Sequence, residues 1–130
     1  MVTAINLVEV FCAEAHRRLE TVQRALAGTD GSPVYDQLHQ EFDTLSGAAR
    51  ACNLPDWEHW CRLLARLSRH LHRQRSRGVD PAAQRLLEQA MGLLHAAKLE
   101  ARRSGITPAA LGGSALQSLE QAIVGLLNDQ

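Results

Sequence analysis

The chain has 130 residues, 45% of them apolar and 4% aromatic, and no net formal charge. That length fits one domain around one core, and the apolar content is too high for a disordered chain. With so few aromatics, Leu and Ala must fill the interior, which suits a helical bundle and argues against a β-sandwich rich in Val, Ile, Thr and Tyr.

Five helical segments follow from periodicity and punctuation. The first is expected from about Ala4 to Ala27, with Val8, Phe11, Cys12, Ala15, Leu19, Val22 and Leu26 on one apolar stripe. Glu14 with Arg18, and Glu20 with Arg24, stand at i,i+4 with the acid first, an arrangement that supports a wet helix face. Gly28-Thr29-Asp30-Gly31 ends this helix. Ser32-Pro33 reads as a cap followed by a first-turn proline, opening a second helix that runs to about Cys52. Its stripe is Leu38, Phe42, Leu45, Ala49 and Cys52, and its opposite face carries Asp36, Gln40, Asp43, Gly47 and Arg50.

Asn53-Leu54-Pro55-Asp56 breaks that helix and starts the third, with Asn53 as a cap and Asp56 in the first turn, where the dipole favours an anion. The third helix runs to about Arg75 on Trp57, Trp60, Leu64, Leu67 and Leu71. Arg77-Gly78-Val79 ends it, and Asp80-Pro81 opens the fourth, with Leu86, Leu87, Ala90, Leu94 and Ala97 inward and a stop near Gly105. Thr107-Pro108 reads as one more turn and Gly112-Gly113 as a flexible break. Ser114-Ala115-Leu116-Gln117 forms a capping-box pattern for a last helix with Leu116, Leu119, Ile123 and Leu126 on one side.

Short loops between long amphipathic helices favour antiparallel neighbours. The expected fold is all-α. An up-down antiparallel four-helix bundle occupies residues 1–104, and residues 105–130 form a linker and a C-terminal helix packing on the bundle or on a partner. No apolar run is long enough to cross a bilayer, and Met1-Val2-Thr3-Ala4 lacks the basic stretch and apolar block of a signal peptide. Cys12, Cys52 and Cys61 are odd in number and sit in helical apolar patterns, so they read as reduced, buried residues of a cytoplasmic protein.

The zero net charge hides an asymmetry. Residues 1–47 carry Glu9, Glu14, Glu20, Asp30, Asp36, Glu41 and Asp43 against Arg17, Arg18 and Arg24, whereas residues 48–104 are predominantly basic. Arg62, Arg66, Arg69 and Arg73 recur at i, i+4, i+7 and i+11 along one face of the third helix, followed by Arg75 and Arg77, with no acid from Arg62 to Arg77. A solvated face is the default for such a strip and an acidic protein partner the next reading. Nucleic acid ranks third, because the chain is neutral and shows neither a helix-turn-helix pattern nor interleaved aromatics. His16, His59, His70, His72 and His95 are scattered, Cys52 and Cys61 lack a CxxC partner, and no metal or cofactor is expected.

Phe11-Cys12-Ala13-Glu14-Ala15, followed by Leu19, Val22 and Leu26, resembles the opening helix of histidine-phosphotransfer domains, in the form found in chemotaxis histidine kinases. Their second helix carries His-x-Leu-Lys-Gly, a small-residue stretch and Gly-Leu. Here Asp43-Thr44-Leu45-Ser46-Gly47-Ala48-Ala49-Arg50-Ala51-Cys52-Asn53-Leu54 is similar at Thr44, Leu45, Gly47, Ala48, Ala49 and Leu54. The resemblance covers residues 5–103. It departs where the family is active: the histidine falls on Asp43, the lysine on Ser46, the later glycine on Asn53, and the glutamate that orients the histidine near Ala65.

The resemblance implies a signalling module of a two-component or chemotaxis-type phosphorelay. It would bind a receiver (response-regulator) domain or a histidine kinase through His39, Asp43, Ser46, Gly47 and Arg50, without enzymatic activity. Relay requires a neutral imidazole nitrogen, exposed on a helix face, to attack an aspartyl phosphate in line. Asp43 supplies a carboxylate instead, and a receiver aspartate takes phosphate only with a bound divalent ion and a lysine in a dedicated acidic pocket, of which the sequence around Asp43 shows no sign. His39 lies one turn before Asp43 and reads as its surface partner. As a displaced acceptor it requires a four-residue slip that loses the matches at Leu45 and Gly47. Gly47 in mid-helix costs about 1 kcal/mol relative to Ala, and its place on the wet stripe favours close approach of a partner.

Overall fold

The computed structural model describes residues 7–27, 34–74, 78, 80–104 and 114–128. Five helices follow one another: α1 (Leu7–Ala27), α2 (Tyr35–Ala51), α3 (Pro55–Gln74), α4 (Pro81–Ser104) and α5 (Ser114–Asn128). No strand occurs among the described residues. α1 to α4 form an up-down four-helix bundle in which each helix packs on the next and α4 closes back on α1, while α5 lies against α3 and α4. The expected start at Ala4, the Ser32-Pro33 cap, Arg75, Arg77, Thr107-Pro108 and Gly112-Gly113 lie outside the described residues, as do the side chains of Val8 and Ala97.

The expected stripes form the core. Phe11, Ala15, Leu19 and Val22 of α1 meet Leu38, Phe42, Leu45 and Ala49 of α2, Trp57, Leu64, Leu67 and Leu71 of α3 and Leu87, Ala90 and Leu94 of α4 in one buried cluster. Phe11 meets Trp57 edge to face across the bundle, with ring centroids 5.2 Å apart. Leu26 and Leu86, expected inward, are half-buried at its margin. Leu116, Leu119 and Ile123 bring α5 into the same cluster. α3 is buried over a wider arc than its stripe of five, because it packs against α2, α4 and α5 at once; Cys61, Leu63, Ala65, Ser68 and His70 are buried as well. The Ser68 hydroxyl is satisfied by donating to the Leu64 carbonyl at 2.8 Å.

Helix ends place the functional surface. α2 begins at Tyr35 after Val34, which has no side-chain cap but donates its backbone N–H to the Ala25 carbonyl at 2.9 Å, tying the start of α2 to the end of α1. Asn53 does not cap α3. It follows α2 with φ 61°, the left-handed conformation that ends helices. Asn53 N–H bonds to Arg50 O at 3.0 Å and Leu54 N–H to Ala49 O at 2.9 Å, the paired bonds of a Schellman stop with Leu54 packed inward. Pro55 then takes the first position of α3, where its missing N–H costs nothing. Asp80 caps α4 as its sequence implies, its Oδ1 accepting from Ala82 N–H at 3.0 Å.

Candidate functional site

α2 presents its outer face to solvent at mid-length. Asp36, Gln40, Asp43, Gly47 and Arg50 are all exposed, because Leu38, Phe42, Leu45 and Ala49 hold the opposite face in the core. A Cβ added to Gly47 would meet nothing within 4 Å. Among the described residues nothing gives a packing reason for a glycine there.

Two of the expected surface residues are placed differently. Ser46 is buried, and its hydroxyl donates to the Asp43 carbonyl at 2.8 Å. It stands seven residues after His39, on the same side of α2, which α3 covers. His39 does not turn to Asp43. Its Nδ1 lies 2.9 Å from the backbone carbonyl of Ala65 on α3. A carbonyl only accepts, so Nδ1 carries the proton and Nε2 of the neutral ring keeps the lone pair. Ala65, where the resemblance puts the orienting acid, is buried and contributes only this backbone oxygen.

The α2–α3 seam is pinned on both sides of Asp43. On one side is the His39–Ala65 bond, and on the other Arg50 Nε donates to Glu58 at 3.2 Å. Glu58 also receives Arg62 at 2.9 Å, so the first arginine of the α3 strip is partly neutralised. Arg66, Arg69 and Arg73 are exposed and make no ion pair among the described residues. Asp36, His39, Arg69, His72 and Arg73 line a groove of about 430 Å³ between α2 and α3.

On the other flank, α1 is clamped to α2. Arg18 bonds Glu14 at 2.7 Å on its own helix and Glu41 of α2 at 2.9 Å, and Arg17 also pairs with Glu14. The hydrogen bond from Arg18 holds the Glu14 carboxyl below its usual range, against the opposing effect of burial and with help from the charge of Arg17. The two carboxylates raise Arg18 in turn. The expected Glu20–Arg24 pair does not form: Glu20 takes His16 at 3.1 Å, and Arg24 donates to Thr21. Above the clamp, Val10, Phe11, Ala13, Glu14, Arg17 and Ala48 line a shallow cleft beside Gly47, with Val10 exposed.

Nucleophile chemistry is weakly represented. Cys12, Cys52 and Cys61 are buried and none is in a disulfide; burial pushes the Cys61 thiol up to about 12, so it is a neutral thiol at physiological pH. No group of three or more His, Cys, Asp and Glu side chains gathers in metal-ligand geometry among the described residues. No described helix is long and apolar enough to cross a membrane. The groove at Arg69 and Arg73 and the cleft at Val10 were not anticipated as sites, since each needs the register between two helices.

No curated protein and no solved structure matches the chain. The family model of the Hpt domain matches residues 6–122, from the start of α1 into α5. The chain thus belongs to the Hpt domain family, helical-bundle modules of phosphorelay signalling that interact with histidine kinases and response regulators.

Proposed function

We propose that this Hpt domain is a docking module that binds a receiver domain, or a histidine kinase, without accepting phosphate. The observation that carries the reading is Gly47. It sits exposed in the middle of α2, one turn from Asp43, with open space where a side chain would be. A glycine there weakens the helix by about 1 kcal/mol relative to Ala, and nothing inside the bundle offsets that loss. Close approach of a partner backbone is the use that remains. The apolar cleft at Val10, Ala13 and Ala48 extends the patch toward α1, and Arg50 bounds it toward α3.

Asp43 occupies the acceptor position of the resemblance and carries a carboxylate where relay requires an imidazole. Ser46, at the lysine position, is neutral and buried. The domain is then a degenerate member, related to the chemotaxis-kinase form, that keeps the docking face without the transfer chemistry. Three buried cysteine thiols suit the reducing cytoplasm.

A second reading has one observation behind it. With Nδ1–H given to the Ala65 carbonyl, Nε2 is the nitrogen that carries the lone pair when the His39 ring is neutral, the form a phosphoryl acceptor needs. Its half-burial and its distance of one helical turn from the acceptor position weigh against it.

The docking reading is tested by titrating the domain with a receiver from the same cell. Gly47→Arg is expected to weaken binding at least about tenfold, the loss of a central close contact, with an unchanged circular dichroism spectrum. Unchanged affinity in that variant would remove the α2 face as the docking site.

A further inference from the structure

The charges of the α2–α3 groove are not used by the docking face. Arg69 and Arg73 stand at i,i+4 on α3, where like charges oppose each other, and neither has an ion-pair partner among the described residues. Both line the same groove as His39 and His72, which are half-buried. Among the described residues the one acid in the lining, Asp36, is exposed and is engaged at 3.4 Å by Gln40 rather than by either arginine.

We propose that this groove is a binding site for a tetrahedral oxyanion, inorganic phosphate or a phosphate ester, held by Arg69 and Arg73 with His39 and His72. The guanidinium groups present planar forks of N–H donors that fit the oxygen edges of such a group. They come from adjacent turns of one helix, so they reach the anion from one wall. The imidazoles close the site from two helices: His39 on α2 is fixed by its bond to the Ala65 carbonyl, and His72 is on α3. His39 commits Nδ1 to the Ala65 carbonyl, so only its protonated ring, which has a second N–H on Nε2, donates to the anion. An anion there would also reduce the repulsion between Arg69 and Arg73. The proposal is independent of receiver docking, because it concerns Arg69 and Arg73 rather than Asp43 and Gly47.

The test uses the full chain, labelled with nitrogen-15, titrated with sulfate and with inorganic phosphate at constant ionic strength, chloride serving as control. Saturable shifts are expected at the arginine side chains of Arg69 and Arg73 and the imidazoles of His39 and His72. Arg69→Gln with Arg73→Gln should weaken the anion about tenfold or more, the effect of losing charge-assisted hydrogen bonds. Arg69→Lys with Arg73→Lys keeps the charge but loses the forks and should fall in between. Arg62→Gln, outside the groove, should leave affinity unchanged. A phosphoserine peptide that binds more tightly than inorganic phosphate assigns the group to a protein partner; one that binds no more tightly assigns it to a free small anion. Shifts that chloride reproduces, or glutamine variants with wild-type affinity, would overturn the site.

Discussion

His39 on α2 and Ala65 on α3 are joined by an imidazole-to-carbonyl hydrogen bond of 2.9 Å, which commits the ring to the helix interface and to one tautomer. Nitrogen-15 spectra of the imidazole should show the proton on Nδ1 in the neutral form. His39→Ala should lower stability by roughly 0.5–1.5 kcal/mol, the net worth of one such bond, read from the denaturant midpoint. A proton on Nε2 would mean that the Ala65 contact does not form in solution.

Gly47 lets stability and the proposed docking be read separately. Gly47→Ala should raise stability by about 0.5–1 kcal/mol, because a helical glycine is replaced where a Cβ meets open space. The same substitution should not improve receiver binding. A destabilised Gly47→Ala variant would show that some neighbour does occupy that space.

Much of the bundle was legible in the sequence, and its misreadings have identifiable causes. The stripes through Phe11, Leu38, Leu64 and Leu87 repeat at helical spacing, so their burial follows from local pattern alone. Asp80-Pro81 has one plausible meaning, and it holds. Asn53 has two, since asparagine both caps helix starts and adopts the left-handed stop; the hydrogen bonds to Arg50 and Ala49 decide for the stop. The i,i+4 rule pairs His39 with Asp43 because it considers only one helix, while its actual partner comes from another. The sequence pattern puts Ser46 at the surface, because a stripe defines the core side but not the flank that a neighbouring helix covers; in the fold it is buried. The groove at Asp36, Arg69 and Arg73 required the register of α2 on α3, which no single-helix pattern contains.

The Arg18 clamp makes the fold acid-sensitive. The Glu14 carboxyl is held below its ordinary value of 4.5, chiefly by the hydrogen bond from Arg18. A carboxylate depressed in the folded state adds stability that is complete above its unfolded value and is lost as pH falls through the folded value. Stability should therefore decline below about pH 4.5, and Arg18→Gln should flatten that decline. At neutral pH the substitution should cost roughly 1 kcal/mol, the upper range for partly exposed ion pairs. An acid limb identical to that of the unmodified chain would show that the clamp carries no such coupling.

Asn53 reports on the helix stop. In the left-handed conformation a Cβ-bearing residue without a short polar side chain is disfavoured by about 1–2 kcal/mol. Asn53→Ala should therefore destabilise by about 1 kcal/mol, whereas Asn53→Gly should be neutral or stabilising. Equal stabilities for the two variants in chemical denaturation would argue against the positive φ.

The proposal that the domain does not accept phosphate is tested most directly by label transfer. A receiver domain carrying radiolabelled aspartyl phosphate is mixed with this protein, and both chains are followed with time. The predicted result is that label remains on the receiver or leaves as inorganic phosphate, and none appears on this chain. Acid-labile label on this chain, lost in His39→Gln, would contradict the account and establish the domain as a phosphoryl acceptor through a displaced histidine.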